Sequence, residues 1–226
     1  MTASGPFIPG AVPQKALFIV VSGLPASGKT TIGRMVAEQL AIPFIDKDEF
    51  LEAEFEKYDH IDPQLRQKLS RTSDEAMARS ARTLGAGVLV SFWRPLHLEV
   101  SYGTSTQWVD DLTALIVELH CRCEPQIARQ RFIRRKRHPG HNDNSRFNDL
   151  IDQFGNPAAQ EPLGKWPVVT LDTGNVEDVA ELARNAAEQI LKLVSILDLS
   201  GCQSAVANPD KPMAPHEWMA KMACDR

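Results

Sequence analysis

The sequence predicts an α/β fold, a parallel sheet with helices on both of its faces. Short, β-branched apolar runs recur at residues 16–22, 44–45, 87–93, 115–121 and 168–171, as strands buried on both faces do. Helix-prone segments alternate with those runs, the arrangement of successive βαβ units. The first run also ends in a glycine-rich turn that opens directly into an amphipathic segment.

Each element has its own signal. Residues 16–22 end in glycine and form the first strand. Over 29–40, Ile32, Met35, Val36 and Leu40 fall at helical spacing, and Pro43 closes that helix and opens the second strand at 44–45,. Residues 49–84 are charged and helix-prone, with a break where Asp62 can cap a helix whose first residue is Pro63,. Two helices are therefore expected there. Residues 87–93, 115–121 and 168–171 supply the third to fifth strands, with helices near 125–135 and 176–196. From 199 the pattern decays into Gly, Ser, Asn, Asp and Pro, with a last helical stretch at 216–223. The expected organisation is a flexible leader over 1–15, one domain over 16–198 and a tail over 199–226.

Composition narrows the function. At 226 residues and 43% hydrophobic, the chain suits one well-buried domain,. A formal charge of -4 gives no general attraction to nucleic acid or anionic membrane, so either would need a local patch,. Cys121 and Cys123 alternate within an apolar run, and Cys202 and Cys224 lie far away, which is neither a metal-binding pair nor a disulfide framework,. Reduced thiols and a cytoplasmic location are expected. The longest apolar run, 16–21, cannot span a bilayer,.

The turn reads Gly23, Leu24, Pro25, Ala26, Ser27, Gly28, Lys29, Thr30, a full match to G-x-x-x-x-G-K-[ST] between a strand and a helix,. Gly23 and Gly28 allow positive φ and close backbone approach to phosphates. Together with Thr31, the loop and the positive end of the following helix form the predicted ATP site. Lys29 is expected on the β- and γ-phosphates and the Thr30 hydroxyl on Mg²⁺. Beyond the second strand come Asp46 and Asp48, two apart and on one face if the strand persists. Asp48 is read as the base for an acceptor hydroxyl and as an acceptor contact, Asp46 as the metal or substrate partner. The same residues also read as a solvated acidic turn capping the helix from Glu49.

Residues 129–137 hold five arginines and a lysine. Arg131, Arg134 and Arg135 share a helical face, and guanidinium groups suit phosphate oxygens. An arginine-bearing lid over about 134–150, with Arg134 and Arg137 catalytic and Arg131 on the nucleotide, competes with an RNA-binding patch and with a plain solvated face. His138 and His141 lack a third metal ligand and are read as loop residues. Arg94, after the third strand, is a candidate contact for an anionic substrate group, and equally a surface arginine. Thr173 and Gly174, after the fifth strand, suit either a loop packed on a nucleotide base or an Asx-type cap.

In this order, the phosphate loop, the Asp46–Asp48 pair, the basic segment ending His138-Pro139-Gly140-His141 and Leu171-Asp172-Thr173 resemble the zeta-toxin-like, AAA-type group of P-loop small-molecule kinases, related in fold to gluconate, shikimate, adenylylsulfate and chloramphenicol kinases. The resemblance covers roughly residues 16–195. It implies a P-loop NTPase three-layer sandwich of strand order 2-3-1-4-5, ATP on Gly23 to Thr30, lid arginines on the transferring phosphoryl group, and Thr173 and Gly174 near adenine. Relatives often carry an acidic residue at the end of strand three, where this chain has Ser91-Phe92-Trp93-Arg94. The expected activity is ATP-dependent phosphorylation of a small hydroxyl compound, with a polynucleotide 5′-hydroxyl kinase and an ATP-binding switch as alternatives.

Overall fold

A computed structural model describes residues 16–94, 103–143 and 154–204. Five parallel strands form one sheet: β1 (Leu17–Ser22), β2 (Phe44–Asp46), β3 (Gly87–Val90), β4 (Leu115–Arg122) and β5 (Val168–Asp172), in the order β2-β3-β1-β4-β5. This is the predicted order. The helices are α1 (Lys29–Leu40), α2 (Lys47–Phe55), α3 (Pro63–Leu84), α4 (Gln107–Asp110), α5 (Pro125–Arg134) and α6 (Val179–Ser204).

The central strand shows why the sequence folds this way. Every residue of β1 is buried, and strand alternation sends its side chains to two cores. Leu17, Ile19 and Val21 pack with Ile32, Val36 and Ala37 of α1 and with Ala183, Ala186, Ile190 and Val194 of α6. Phe18 and Val20 face the other way, against Met77 and Ala81 of α3 and against Leu89 and Trp93. Hence α1 and α6 cover one face and α3 the other, the three-layer arrangement. Gly33 lets α1 sit close on the sheet, since a Cβ there would lie 2.9 Å from the Val90 side chain.

Several boundaries differ from the sequence expectation. The strand at β2 extends to Asp46 and α2 begins at Lys47 rather than Glu49, because Asp46 Oδ1 accepts from the Asp48 backbone N–H at 3.0 Å and starts the helix there. Strand β3 stops at Val90 rather than Trp93. Beyond it, Phe92 and Arg94 exchange backbone hydrogen bonds with Thr104, at 2.8 and 2.9 Å, which turns the chain out of the sheet. Helix α6 continues to Ser204, so the tail expected from 199 begins as helix. The 1–15 leader, residues 144–150 of the expected lid and the 216–223 stretch lie outside the described residues. No helix among the described residues is long and apolar enough to cross a membrane.

Candidate active site

Parallel strands end on one side of the sheet, and a cavity of about 540 Å³ opens there, beside β1, β2 and β3, where open α/β sheets place their ligands. The turn from β1 to α1 forms one wall, contributing Pro25 through Ile32. Its backbone requires glycine: Gly23 has φ 130° and Gly28 φ 98°, and a Cβ on Gly23 would run into the Cys121 carbonyl of β4. Gly28 is the N-cap of α1 and provides no capping side chain. The first-turn N–H groups of α1 therefore lack a side-chain acceptor, which leaves an anion-binding helix end.

Lys29 Nζ donates to the Gly23 and Leu24 carbonyls at 2.9 and 2.7 Å, cross-bracing the loop. Burial above all, with Arg135 in the same direction, brings its pKa down to about 8 against Cys121, Asp48 and Asp46, which raise it. Ser27 Oγ is buried with no hydrogen-bond partner among the described residues and lines the cavity. A buried hydroxyl that is unsatisfied by protein fits a site that binds a polar ligand.

Opposite the loop stand the two aspartates. Thr30 Oγ1 donates to Asp46 Oδ2 at 3.0 Å, while Asp46 Oδ1 caps α2. Burial, then the Asp48 charge, pushes the Asp46 carboxyl up to about 6. Asp48 is ion-paired with Arg137. Burial pushes its pKa up, but Arg137, His141 and Arg135 outweigh that and hold it below the usual carboxylate range. The two carboxylates thus differ: Asp46 gives up its proton only near pH 6, Asp48 well before it,. Both line the cavity, although Asp48 reaches it from the first turn of α2 and not from a prolonged strand.

The basic segment closes the third side. Arg131 donates to the Thr173 and Gly174 carbonyls at 2.8 and 2.7 Å, tying α5 to the loop after β5. Arg135 lies 3.2 Å from Asp143, its Nε buried without a partner among the described residues, and Arg137 bridges Asp48 and Asp143. The 3-10 turn Pro139–His141 then seats on α2: His141 pairs with Glu52 at 2.7 Å, His138 with Glu56 at 3.1 Å, and both rings contact Phe55. Arg66 of α3 donates to the His141 carbonyl at 3.0 Å.

Two predicted site residues are misplaced by the sequence reading. Arg134 is exposed and does not line the cavity; Arg135 does. Helix α5 ends at Arg134 and Arg135 is extended, with φ -67° and ψ 143°, so the helical face expected to carry Arg131, Arg134 and Arg135 together stops short of Arg135. Arg94 also falls outside the lining, although its guanidinium lies 3.4 Å from the carbonyl of Gly103, which belongs to it. Gly23, Leu24 and Gly174 act through backbone carbonyls that hold Lys29 and Arg131, and Thr31 and Thr173 line the cavity.

Sequence reading missed Arg66 and a buried network at the end of β3. There Lys47 pairs with Asp74 at 2.7 Å, Thr104 Oγ1 donates to Asp74 at 2.7 Å, and Ser91 and Thr104 hydroxyls lie 2.6 Å apart. An acid does stand near the end of strand three, contributed by α3 and committed to Lys47. Asp74 lies seven residues before Ala81 on a helix read only as charged, and nothing local marked it.

A family model described as shikimate kinase matches residues 25–68, from Pro25 within the phosphate loop to Lys68, two residues beyond Arg66. Shikimate kinases of Symbiobacterium thermophilum and Paracidovorax citrulli are 53% identical over 36 residues and 48% over 40, covering 16% and 18% of this chain. The matched segments span about a fifth of those relatives, 21% of each. Among solved structures, a candidate kinase from Chloroflexus aurantiacus superposes with TM-score 0.64 at 22% identity over 77% of this chain and 98% of its own. A shikimate kinase from Bacteroides thetaiotaomicron gives 0.51 at 18% over 79% and 98%. The chain has the P-loop small-molecule kinase fold.

Proposed function

We propose that this protein is an ATP-dependent kinase that transfers the γ-phosphoryl group to a hydroxyl of a small molecule. The observation that carries the proposal is the juxtaposition, around one cavity, of an uncapped glycine-rich helix start with Lys29, an ionised Asp48 and the cations Arg131, Arg135 and Arg137. Phosphoryl transfer asks the protein mainly for positioning and charge stabilisation, and these groups supply both.

ATP phosphates fit the loop: the α1 N–H groups and the Ser27 hydroxyl offer donors, and Arg131 anchors the Thr173–Gly174 loop on the adenine side. The acceptor lies toward Asp48, Arg66, Ser70 and Ser91. Its oxygen forms a bond to the γ-phosphorus as the bond to the β–γ bridging oxygen breaks, and that oxygen leaves with ADP. The hydroxyl proton passes to the Asp48 carboxylate, which Arg137 orients. Arg135 and Arg137 neutralise charge on the transferring group.

Magnesium fits this donor set in a limited way. Thr30 and Asp46 meet at the loop, and among the described residues no cluster of three or more His, Cys, Asp or Glu could hold a metal alone. Thr30, with Asp46 at its side, would hold a Mg²⁺ that is otherwise bound by nucleotide and water, as Mg²⁺ commonly is. Bound there, the ion would screen the phosphate oxygens.

The test is a panel of hydroxy acids, sugars and short oligonucleotides, shikimate and gluconate included, incubated with labelled ATP and the full chain. Transfer to a small acceptor, lost on Lys29→Ala, is expected. ATP binding without transfer to any member, or preferential labelling of oligonucleotide 5′ ends, would overturn the reading.

A further inference from the structure

Beneath the phosphate loop lies a second polar cluster that the reaction does not use. Ser22, Glu118 and His120 are 3%, 0% and 1% exposed, in strands β1 and β4. Ser22 immediately precedes Gly23, and Ser22 pairs with His120 in the β1–β4 register. Ser22 Oγ lies 2.5 Å from Glu118 Oε1 and 2.8 Å from His120 Nδ1, His120 Nε2 lies 2.9 Å from the Gln160 carbonyl, and the backbone N–H groups of Leu163 and Gly164 donate to Glu118 at 2.8 and 3.3 Å.

Counting protons through this chain restricts its charge. A carbonyl only accepts, so His120 Nε2 carries a proton. If the imidazole is neutral, Nδ1 accepts, the single Ser22 proton points to it, and Glu118 must be protonated to donate to Ser22 Oγ. If the imidazole is charged, Nδ1 donates to Ser22 and Ser22 donates to an ionised Glu118. An ionised Glu118 beside a neutral His120 instead leaves two lone pairs facing each other in a buried site, across 2.8 Å if Ser22 donates to Glu118 or 2.5 Å if it donates to His120, a costly arrangement,. Both satisfied arrangements hold the same one proton.

We propose that Glu118, Ser22 and His120 share one retained proton, which keeps the floor of the phosphate loop free of net negative charge and so makes Glu118 and His120 positioning residues for nucleotide binding. The coupling to nucleotide rests on the kinase reading above; the proton itself does not. Burial acts in the same direction, raising the Glu118 pKa against the hydrogen bonds from Ser22, Leu163 and Gly164 and lowering that of His120. Charged groups facing the cluster are Glu161, which favours a charged His120, and Lys29 and Arg122, which oppose it. The neighbouring Cys121 thiol is pushed up to about 12 by burial and stays neutral. Loss of the shared proton as pH rises places a carboxylate charge under the bound phosphates, so nucleotide affinity falls with rising pH. Lys29, with its lowered pKa, titrates in the same direction, and a comparison of variants separates the two.

Histidine ¹⁵N spectra of the ligand-free full chain, with infrared detection of the Glu118 carboxyl, read the proton directly. A neutral Nε2–H His120 with a protonated Glu118, or an imidazolium with an ionised Glu118, is expected at neutral pH; a neutral His120 with an ionised Glu118 overturns the proposal. ATP affinity is then followed from neutral to alkaline pH in wild type and in Glu118→Gln, whose amide donates to Ser22 and cannot ionise. Wild type is expected to lose several-fold more affinity than the variant, and parallel profiles refute the coupling. Absence of ATP binding at every pH would refute the kinase reading and the coupling, while the spectra still decide the shared proton.

Discussion

Gly140→Ala tests whether the arginine-bearing turn must seat on α2 for turnover. Gly140 has no positive φ to protect, so alanine is not excluded by the backbone; the obstacle is space. A Cβ there would stand 2.5 and 2.6 Å from two atoms of the Phe55 ring and 2.9 Å from Ile61. Phe55 is 1% exposed and packed with Leu51 and Leu69, so it cannot swing aside without opening that cluster. Inserting one methyl into such a contact costs about 1–3 kcal/mol. The cheaper response is for residues 137–141 to lift, which separates His141 from Glu52, His138 from Glu56 and Arg137 from Asp48. At about 1.4 kcal/mol per tenfold, a mid-range cost of about 2 kcal/mol lowers the ratio of seated to lifted turn roughly thirtyfold. Steady-state kinetics with a cognate acceptor should show kcat/KM down by roughly ten- to hundredfold, with ATP affinity much less affected because the loop over 23–31 is untouched. Gly155→Ala, where an added Cβ meets nothing within 4 Å, serves as the control. Unchanged turnover in Gly140→Ala would refute a required seat for this turn.

Asp48→Asn removes the ionised carboxylate while keeping its shape, and should lower kcat by about 10²–10⁴ at saturating acceptor; near-normal turnover would remove Asp48 from the chemistry. Arg131→Ala deletes two charge-assisted hydrogen bonds to the Thr173 and Gly174 carbonyls, each worth about 1.5–3 kcal/mol, and should raise the KM for ATP at least about tenfold while leaving the acceptor KM near its original value. Asp46 carries a pH signature of its own. Its folded pKa is raised to about 6 from 3.8, so between those values the folded chain binds the proton and the unfolded chain has released it, and stability falls as pH rises through that window. The difference amounts to at most about 3 kcal/mol. Denaturant unfolding of wild type and Asp46→Asn from pH 4 to pH 7 should show the wild type losing stability relative to the variant as pH rises; a constant difference would mean that Asp46 is not desolvated.

How much of this was legible in the sequence depends on how far each feature's cause extends along the chain. The phosphate loop was readable because Gly23, Gly28 and Lys29 act through their own backbone and the helix that follows. Asp62 before Pro63 was readable for the same reason, and its Oδ1 does accept from Leu65 N–H at 2.8 Å. Errors arose where an element ended. Asp48 was read either on a persisting strand or in a turn capping a helix from Glu49, yet the hydrogen bond that Asp46 Oδ1 accepts from Asp48 N–H starts the helix two residues sooner. Arg134 was placed on a helical face shared with Arg131 and Arg135, yet the helix ends at Arg134 and the extended Arg135 lines the cavity instead. Gly140 is constrained by Phe55, eighty-five positions away in sequence and invisible to local pattern.

The run LIVELHC shows a different kind of blindness. Its length and β-branching marked it as a strand, and the order implied by the resemblance set it beside β1, but reading it as uniformly apolar passed over Glu118 and His120, which alternate onto one face. A carboxylate and an imidazole in a fully buried central strand are expensive unless partnered, so their presence was itself a signal that another strand or loop must supply hydrogen-bonding groups at that level. Ser22, Gln160, Leu163 and Gly164 do so. The same positions join β1, β4 and the 160–164 segment just under Gly23, where the backbone must stay fixed for its N–H groups to point at a phosphate. A change at Glu118 would therefore reach the nucleotide through the loop's floor, without any contact between that residue and the ligand.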